Sequence, residues 1–331
     1  MIMDKLRIVY LGTPDFAVEP LRRLIEKQKA CAECGYEVVG VVTMPDKMIN
    51  KRGNQLLMSP VKQYAASEGL PVLQPELLKD EAFQNELRAL RADLQIVVAF
   101  RMLPESVWNM PRLGTFNLHA SLLPQYRGAA PINWAIINGD KETGVTTFFL
   151  KHEIDTGDVI YRDVIAIEEN DNAGTLHDKL MLQGGETVLR TVEAIVNGDV
   201  KAIAQDTMFA TEQELRPAPK IFRDTCRIDW EKDVCAVYDF VRGMSPYPAA
   251  WLELADAEGK FVAVKVYEVV KEFSEHDFEI GTLLTDNKSY AKVAVKGGYI
   301  SLVDVQLAGK KRMPIADLLR GFSIQGMTVC K

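Results

Sequence analysis

Residues 6–25 read LRIVYLGTPDFAVEPLRRLI: an apolar run, a Gly-Thr-Pro-Asp turn, then Ala17, Leu21, Leu24 and Ile25 spaced to give a helix one buried stripe. Apolar runs of the same kind recur at 37–43 and 93–100 with helical patterns between them. Ser59 ahead of Pro60 opens one helix that Gly69 closes, and Asp80 is placed to cap another. Strands alternating with helices predict a parallel sheet covered on both faces, because parallel neighbours need a long crossover connection. The expectation for residues 1–206 is therefore a doubly wound, Rossmann-like α/β domain. The turn GTPDFA lacks the three glycines that let a backbone approach a dinucleotide pyrophosphate, which disfavours a nicotinamide dehydrogenase. Gly12 reads either as a plain tight turn or as a place where something bulky meets the backbone.

From 207 to 225 periodicity is lost and Pro217 and Pro219 appear, as in a linker. Beyond it a helical segment over 233–243 precedes short alternating segments near 249–254, 261–270, 280–285, 290–295 and 299–307, separated by Gly, Asp and Asn turns. That pattern predicts a small β-barrel over 226–331.

At 331 residues the chain exceeds one ordinary core, and its 47% hydrophobic content without a long apolar run describes a globular protein rather than a membrane one. The N-terminus leads straight toward a strand with no signal-peptide pattern, so the expected location is cytoplasmic. Five cysteines are an odd number for a disulfide framework and are expected to be free thiols. Cys31 and Cys34 form a CxxC, but no second ligand pair follows at zinc spacing, and no metal is expected. A formal charge of -7 argues against non-specific coating of nucleic acid. Basic residues nevertheless gather at Lys47, Lys51 and Arg52, at Arg216, Lys220, Arg223 and Arg227, and at Lys310, Lys311 and Arg312; each group alone reads as solvated surface.

The chemistry is expected in 114–131, GTFNLHASLLPQYRGAAP. Asn117 and His119 sit two apart on a strand and so project from one face, while Phe116 and Leu118 turn toward a core. Pro124 and Gly128 break the chain just beyond, and Pro131 starts a helix that Gly139 ends. The pair then lies at the C-terminal end of a strand, where open α/β sheets bind ligands. After the apolar strand 145–150 comes a loop with His152, Asp155, Thr156 and Gly157. Asp155 is the third candidate, because a carboxylate near an imidazole favours its protonated form and fixes its orientation. An aspartic-protease reading of Asp-Thr-Gly fails for want of a second such motif. His177 and His276 read as ordinary.

With NLHASLLPQYRGAAPINW beside EIDTGDV, the chain resembles the folate-dependent formyltransferases, whose shared pattern is Asn-x-His, Ser-Leu-Leu-Pro and Asp-x-Gly. GTPDF, VVTMPDK with its basic loop, and CRIDW bring it nearest to the members that act on an aminoacyl-tRNA. The resemblance implies that Asn117, His119 and Asp155 are catalytic and that Ser121, Leu122, Leu123 and Pro124 contact the folate. It implies 10-formyltetrahydrofolate as co-substrate, initiator methionyl-tRNA as acceptor, and a C-terminal OB-like barrel that helps hold the tRNA, with no obligate protein partner. The basic loop from Asp46 to Met58 matches an insertion that enters the acceptor stem, with Arg52 sensing the unpaired end. Lys47, Lys51, Lys220, Arg223, Lys310 and Lys311 are the further tRNA candidates. Here the loop is poorer in Pro, Gly and Lys than the commoner family pattern, and 99–104 stands where a pterin-binding segment is expected. The competing readings are formyl transfer to a small amine or sugar amine, and a non-catalytic RNA-binding protein.

Overall fold

A computed structural model of the chain describes residues 5–49, 55–208 and 215–330. The opening stretch forms β1 (Leu6–Gly12) and α1 (Val18–Ala30), and Leu21, Leu24 and Ile25 are buried as their spacing requires. Then follow β2 (Tyr36–Val42), a hairpin of β3 (Lys47–Ile49) and β4 (Gln55–Leu57), α2 (Pro60–Ser67), β5 (Val72–Leu73), α3 (Glu81–Ala89), β6 (Leu94–Val98), α4 (Glu105–Trp108) and β7 (Thr115–His119). The chain continues through α5 (Pro131–Ile137), β8 (Glu142–Phe149), β9 (Val159–Ala166) and α6 (Ala173–Asn197). The first sheet has the order β5-β2-β1-β6-β7-β8-β9. Its strands from β5 to β7 run parallel, and β8 runs antiparallel to β7. This is the expected Rossmann-like, mostly parallel sheet. Ile8, Val9, Tyr10 and Leu11 are all buried, so both faces of the central strand are covered.

The local signals act unevenly. Ser59 caps α2 by accepting the Lys62 N–H at 3.1 Å, and Gly69 beyond its end takes φ +70°. Asp80 stands at the N-cap of α3 but makes no side-chain capping bond, and it is exposed. A Cβ on Gly12 would lie 2.7 Å from the Ala17 Cβ, so what crowds this glycine is the start of the chain's own helix. The 25-residue α6 carries Gly184 and Gly185 at its middle. Their place has a packing reason: a Cβ on Gly184 would come within 2.7 Å of Leu118 Cδ2, so glycine lets α6 lie close on β7.

In the C-terminal part, α7 (Val234–Met244) is capped by Asp233, which accepts from the Cys235 and Ala236 N–H groups at 2.9 Å each. It is followed by β10 (Ala250–Ala255), β11 (Phe261–Phe273), β12 (Leu283–Thr285), β13 (Ala291–Val295), β14 (Gly298–Leu307), β15 (Met313–Pro314), α8 (Ile315–Gly321) and β16 (Thr328–Val329). These strands form an antiparallel, barrel-like sheet in the order β12-β13-β14-β11-β10-β16, with β15 on β14. The long β11 shifts register against β14 around Glu268, an irregularity of the kind that bends a strand. Val237 and Val241 of α7 share one core with Trp230, Leu252, Val266, Val293 and Ile300.

The chain divides into two compact units. One comprises Met1–Gly128, Gly144–Ile165 and His177–Pro217; the other comprises Ala129–Thr143, Ala166–Leu176 and Ala218–Lys331. Helix α5 thus belongs with the C-terminal unit, where Asn133 Nδ2 donates to Gly243 O at 2.7 Å and Trp134 Nε1 to Pro219 O at 2.8 Å. Among the described residues no helix is long and apolar enough to cross a membrane.

Candidate active site

Strand β7 carries Asn117 and His119 to the C-terminal edge of the parallel strands. Asn117 lies in register between Val97 of β6 and Phe148 of β8, and His119 lies opposite Thr146. Phe116 and Leu118, alternating with them, are buried on the other face. The chain beyond β7 is pinned by Thr146, whose hydroxyl donates to Ser121 O at 2.6 Å and accepts the Leu123 N–H at 3.1 Å. Ser121 Oγ in turn donates to Gln125 O at 2.7 Å, and Arg162 Nη1 donates to Leu123 O at 2.9 Å.

His119 is only 7% exposed, and its ring orientation is fixed from one side. Nε2 lies 2.8 Å from Tyr126 O; a carbonyl only accepts, so this nitrogen carries the proton and donates. Nδ1 therefore faces Asp155, whose Oδ2 is 3.9 Å away. That distance is too long for a hydrogen bond, so the ring nitrogen and the carboxylate look at one another across a gap. Asp155 Oδ2 also accepts the Gly128 N–H at 2.9 Å. Among the described residues none hydrogen-bonds the side-chain amide of half-buried Asn117, which leaves its donors for something else.

The Asp155 loop holds an uncommon shape. Asp155 has φ +55°, a left-handed conformation that aspartate tolerates better than most residues. Two residues on, a Cβ on Gly157 would lie 1.6 Å from Phe149 O, so only glycine fits where the loop closes on β8. An amide on that strand face can donate to negative charge developing on a substrate, the imidazole can add a second donor from Nδ1 once both ring nitrogens carry protons, and the adjacent carboxylate can accept a proton.

The structure sets Asp155 3.9 Å from His119, with Asn117 two residues before His119 on the same strand. Of the Ser-Leu-Leu-Pro run, Ser121, Leu123 and Pro124 are buried and Leu122 is half-buried. In the 99–104 segment Ala99 takes φ +47° and Arg101 Nη1 donates to Glu76 O at 2.7 Å. Lys47 is exposed at the start of the hairpin, while Lys51 and Arg52 lie outside the described residues. In the C-terminal unit Lys220 and Arg223 are exposed; the Lys220 ammonium lies 5.5 Å from the Phe222 ring, and the Arg223 guanidinium 5.8 Å from the Trp251 ring. Lys310 and Lys311 are exposed in the turn after β14.

Some of the other polar side chains have structural partners. Cys31 and Cys34 are free thiols, with Cys34 Sγ donating to Tyr36 O at 3.3 Å. Among the described residues no three His, Cys, Asp or Glu side chains cluster as metal ligands do. His152 sits beside Glu105 at 3.6 Å and the Trp108 ring at 5.5 Å, and His276 Nε2 donates to Val295 O and Gly298 O. The sequence reading missed Tyr126, Arg127 and Gln205, all bonded to the groups around His119 or Asp155. The adjacency of Arg127 to Gly128 in the quoted run was a faint signal; Gln205 gave none.

The chain matches the formyl transferase family model over residues 6–192 and the formyl transferase C-terminal domain model over residues 220–323. A methionyl-tRNA formyltransferase of Parabacteroides distasonis is 62% identical over 97% of this chain and 97% of its own length. One from Phocaeicola vulgatus is 64% identical over 96% of both, and one from Flavobacterium johnsoniae 50% identical over 97% of this chain and 98% of its own. Among solved structures, HypX from Aquifex aeolicus in complex with tetrahydrofolic acid superposes with a TM-score of 0.60 at 20% identity, covering 96% of this chain and 47% of HypX. WlaRD, a sugar 3N-formyl transferase, superposes with a TM-score of 0.62 at 17% identity, covering 92% of this chain and 99% of WlaRD. At these identities the structural likeness shows the fold.

Proposed function

Because the chain belongs to the formyl transferase family through both of its domains, we propose that it transfers a formyl group from 10-formyltetrahydrofolate to the α-amino group of methionine on initiator methionyl-tRNA, for translation initiation. Relatives bearing the name methionyl-tRNA formyltransferase and matching end to end support the choice of acceptor. The observation that carries the chemistry is the meeting of His119 Nδ1 with the Asp155 carboxylate beside an Asn117 amide that has no partner among the described residues.

Bound folate supplies a formyl group on a nitrogen that can leave. Asn117 Nδ2 donates one hydrogen bond to the formyl oxygen as it gains negative charge. His119, with Nε2 already committed to Tyr126 O, donates the second from Nδ1. Asp155 gives positive charge on the ring a nearby partner and takes up the proton that the amine loses, through water; a proton returned to the folate nitrogen by the same route lets its bond to the formyl carbon break and tetrahydrofolate leave. An aminoacyl amine is partly free base near neutral pH, given an α-amino pKa of roughly 7.7–8.0, so no strong base is needed. Ser121, Leu122, Leu123 and Pro124 form the wall along which the folate lies, Leu122 being the member with side-chain surface to offer. Lys47, Lys51 and Arg52 on one unit, and Lys220, Arg223, Lys310 and Lys311 on the other, meet the phosphates of the tRNA.

Losing one donor to a developing oxyanion costs about 3–4 kcal/mol of transition-state stabilisation. His119→Ala and Asp155→Ala are therefore each expected to lower turnover at least about a hundredfold while melting like the parent protein. Near-normal turnover in either variant removes the trio from the mechanism.

A further inference from the structure

Residues 126–128 are tied to both sides of the site. Tyr126 O accepts from His119 Nε2 at 2.8 Å, and the Gly128 N–H donates to Asp155 Oδ2 at 2.9 Å. Between them Arg127 directs Nε and Nη2 onto Gln205 Oε1, at 3.0 and 2.6 Å. Gln205 is 2% exposed, and its Nε2 donates to Asp155 O at 2.9 Å and Gly157 O at 2.8 Å. The contacts close a ring that runs from His119 through Tyr126, Arg127 and Gln205 to Asp155 and back through Gly128.

We infer that Gln205, oriented by Arg127, is a positioning residue that sets the Asp155 carboxylate against His119; the inference rests on the role given to Asp155 above. A single side-chain NH2 group gathers the two carbonyls that flank Thr156, and so fixes the left-handed turn at Asp155. A guanidinium has only donors, so Arg127 compels the amide to present its oxygen to Arg127 and its NH2 to the loop. An ionised glutamate has no donor for the carbonyls, and asparagine is a methylene shorter. Gln205 is itself held in place, because Ile203 exchanges two backbone hydrogen bonds of 2.8 Å with Val159 of β9. The anchoring of the catalytic loop thus comes from a segment some fifty residues downstream, beyond α6.

The test is a double-mutant cycle on the full-length protein, reading kcat and KM for formylation of methionyl-tRNA by 10-formyltetrahydrofolate, with melting followed in parallel. A misplaced group of this kind costs on the order of a hundredfold, so Gln205→Leu is expected to lower kcat by about that factor with both KM values within about twofold of the parent. In the Asp155→Ala background the same substitution is expected to change kcat no further, since the residue it positions is gone. An unchanged kcat for Gln205→Leu, or a loss that multiplies with that of Asp155→Ala, overturns the inference. Should Gln205→Leu fail to fold, Arg127→Met carries the same cycle with Gln205 left in place, and an unchanged kcat there overturns it equally. Normal turnover of Asp155→Ala alone instead overturns the proposed mechanism, so the two failures are told apart.

Discussion

A histidine that gives one ring N–H to a backbone carbonyl has a single nitrogen left for substrate, and at His119 the carbonyl of Tyr126 makes that choice. The useful direction of the ring is thereby set by a residue whose side chain takes no part. The same economy holds at Gly157, where the absence of a Cβ is what permits the Asp155 loop to close on Phe149 O. Gly157→Ala is expected to displace that loop, lowering stability by about 1–3 kcal/mol through overpacking and kcat by on the order of a hundredfold. Melting and steady-state formylation measure both, and a parental kcat contradicts the account of the loop. Asn117, His119 and Asp155 could be put forward from the sequence as candidates because their types and spacing carry chemistry, and the structure sets the last two 3.9 Å apart. Gln205 could not be, because it acts through two backbone carbonyls distant in sequence, and no residue pattern announces which carbonyl an amide will find.

Among the elements, the hairpin β3–β4 stands out, with Met48, Leu56, Leu57 and Met58 exposed around it. Its foot is fastened by Asp46, which pairs with Lys62 and accepts from Gln74 Nε2 at 2.9 Å; the same Nε2 reaches Met44 O at 2.9 Å. Lys62 first, and then the Gln74 amide, hold the Asp46 carboxyl below the ordinary carboxylate value. An acid depressed on folding contributes in full above its unfolded-state value, and the contribution is lost as pH falls from there through the lower folded-state value. Amide-exchange protection of 47–49 is therefore expected to be level above the ordinary carboxylate range and to decline below it, and Asp46→Asn to abolish the decline. A flat profile in the parent, or the same decline in the variant, contradicts this. At this scale the strands from β10 to β14 were readable from alternation and turn residues, and β1, β2, β6 and β7 from their apolar runs, whereas the two-residue β5 was too short to be read. The hairpin was read only as a loop, β9 went unread, and of α6 only the helical stretch around His177 was read; the reason for its paired glycines lies in what packs beneath them, Leu118 of β7 under Gly184 and Glu19 and Arg23 of α1 under Gly185.

For the whole molecule, a net charge of -7 and a polyanionic acceptor are reconciled only if binding depends on a few placed cations rather than on total charge. Arg52 lies outside the described residues, and its assignment rests on the basic loop that carries it. Arg52→Ala is expected to weaken formylation of initiator methionyl-tRNA while leaving folate affinity within about twofold, a change smaller than the loss of one charged hydrogen bond. Equal losses in titrations with the two substrates contradict the assignment. The two-part organisation was visible in the change from helix–strand alternation to short strands. The membership of α5 in the C-terminal unit was not, because it follows from side chains that bond to Gly243 and Pro219 far along the chain. The most direct measurement presents the protein with 10-formyltetrahydrofolate together with methionyl-tRNA, a small amine and a sugar amine, and identifies where the formyl group goes. The expected product is N-formylmethionyl-tRNA. A formyl group found on a small acceptor or released as formate, with methionyl-tRNA unchanged, contradicts the account.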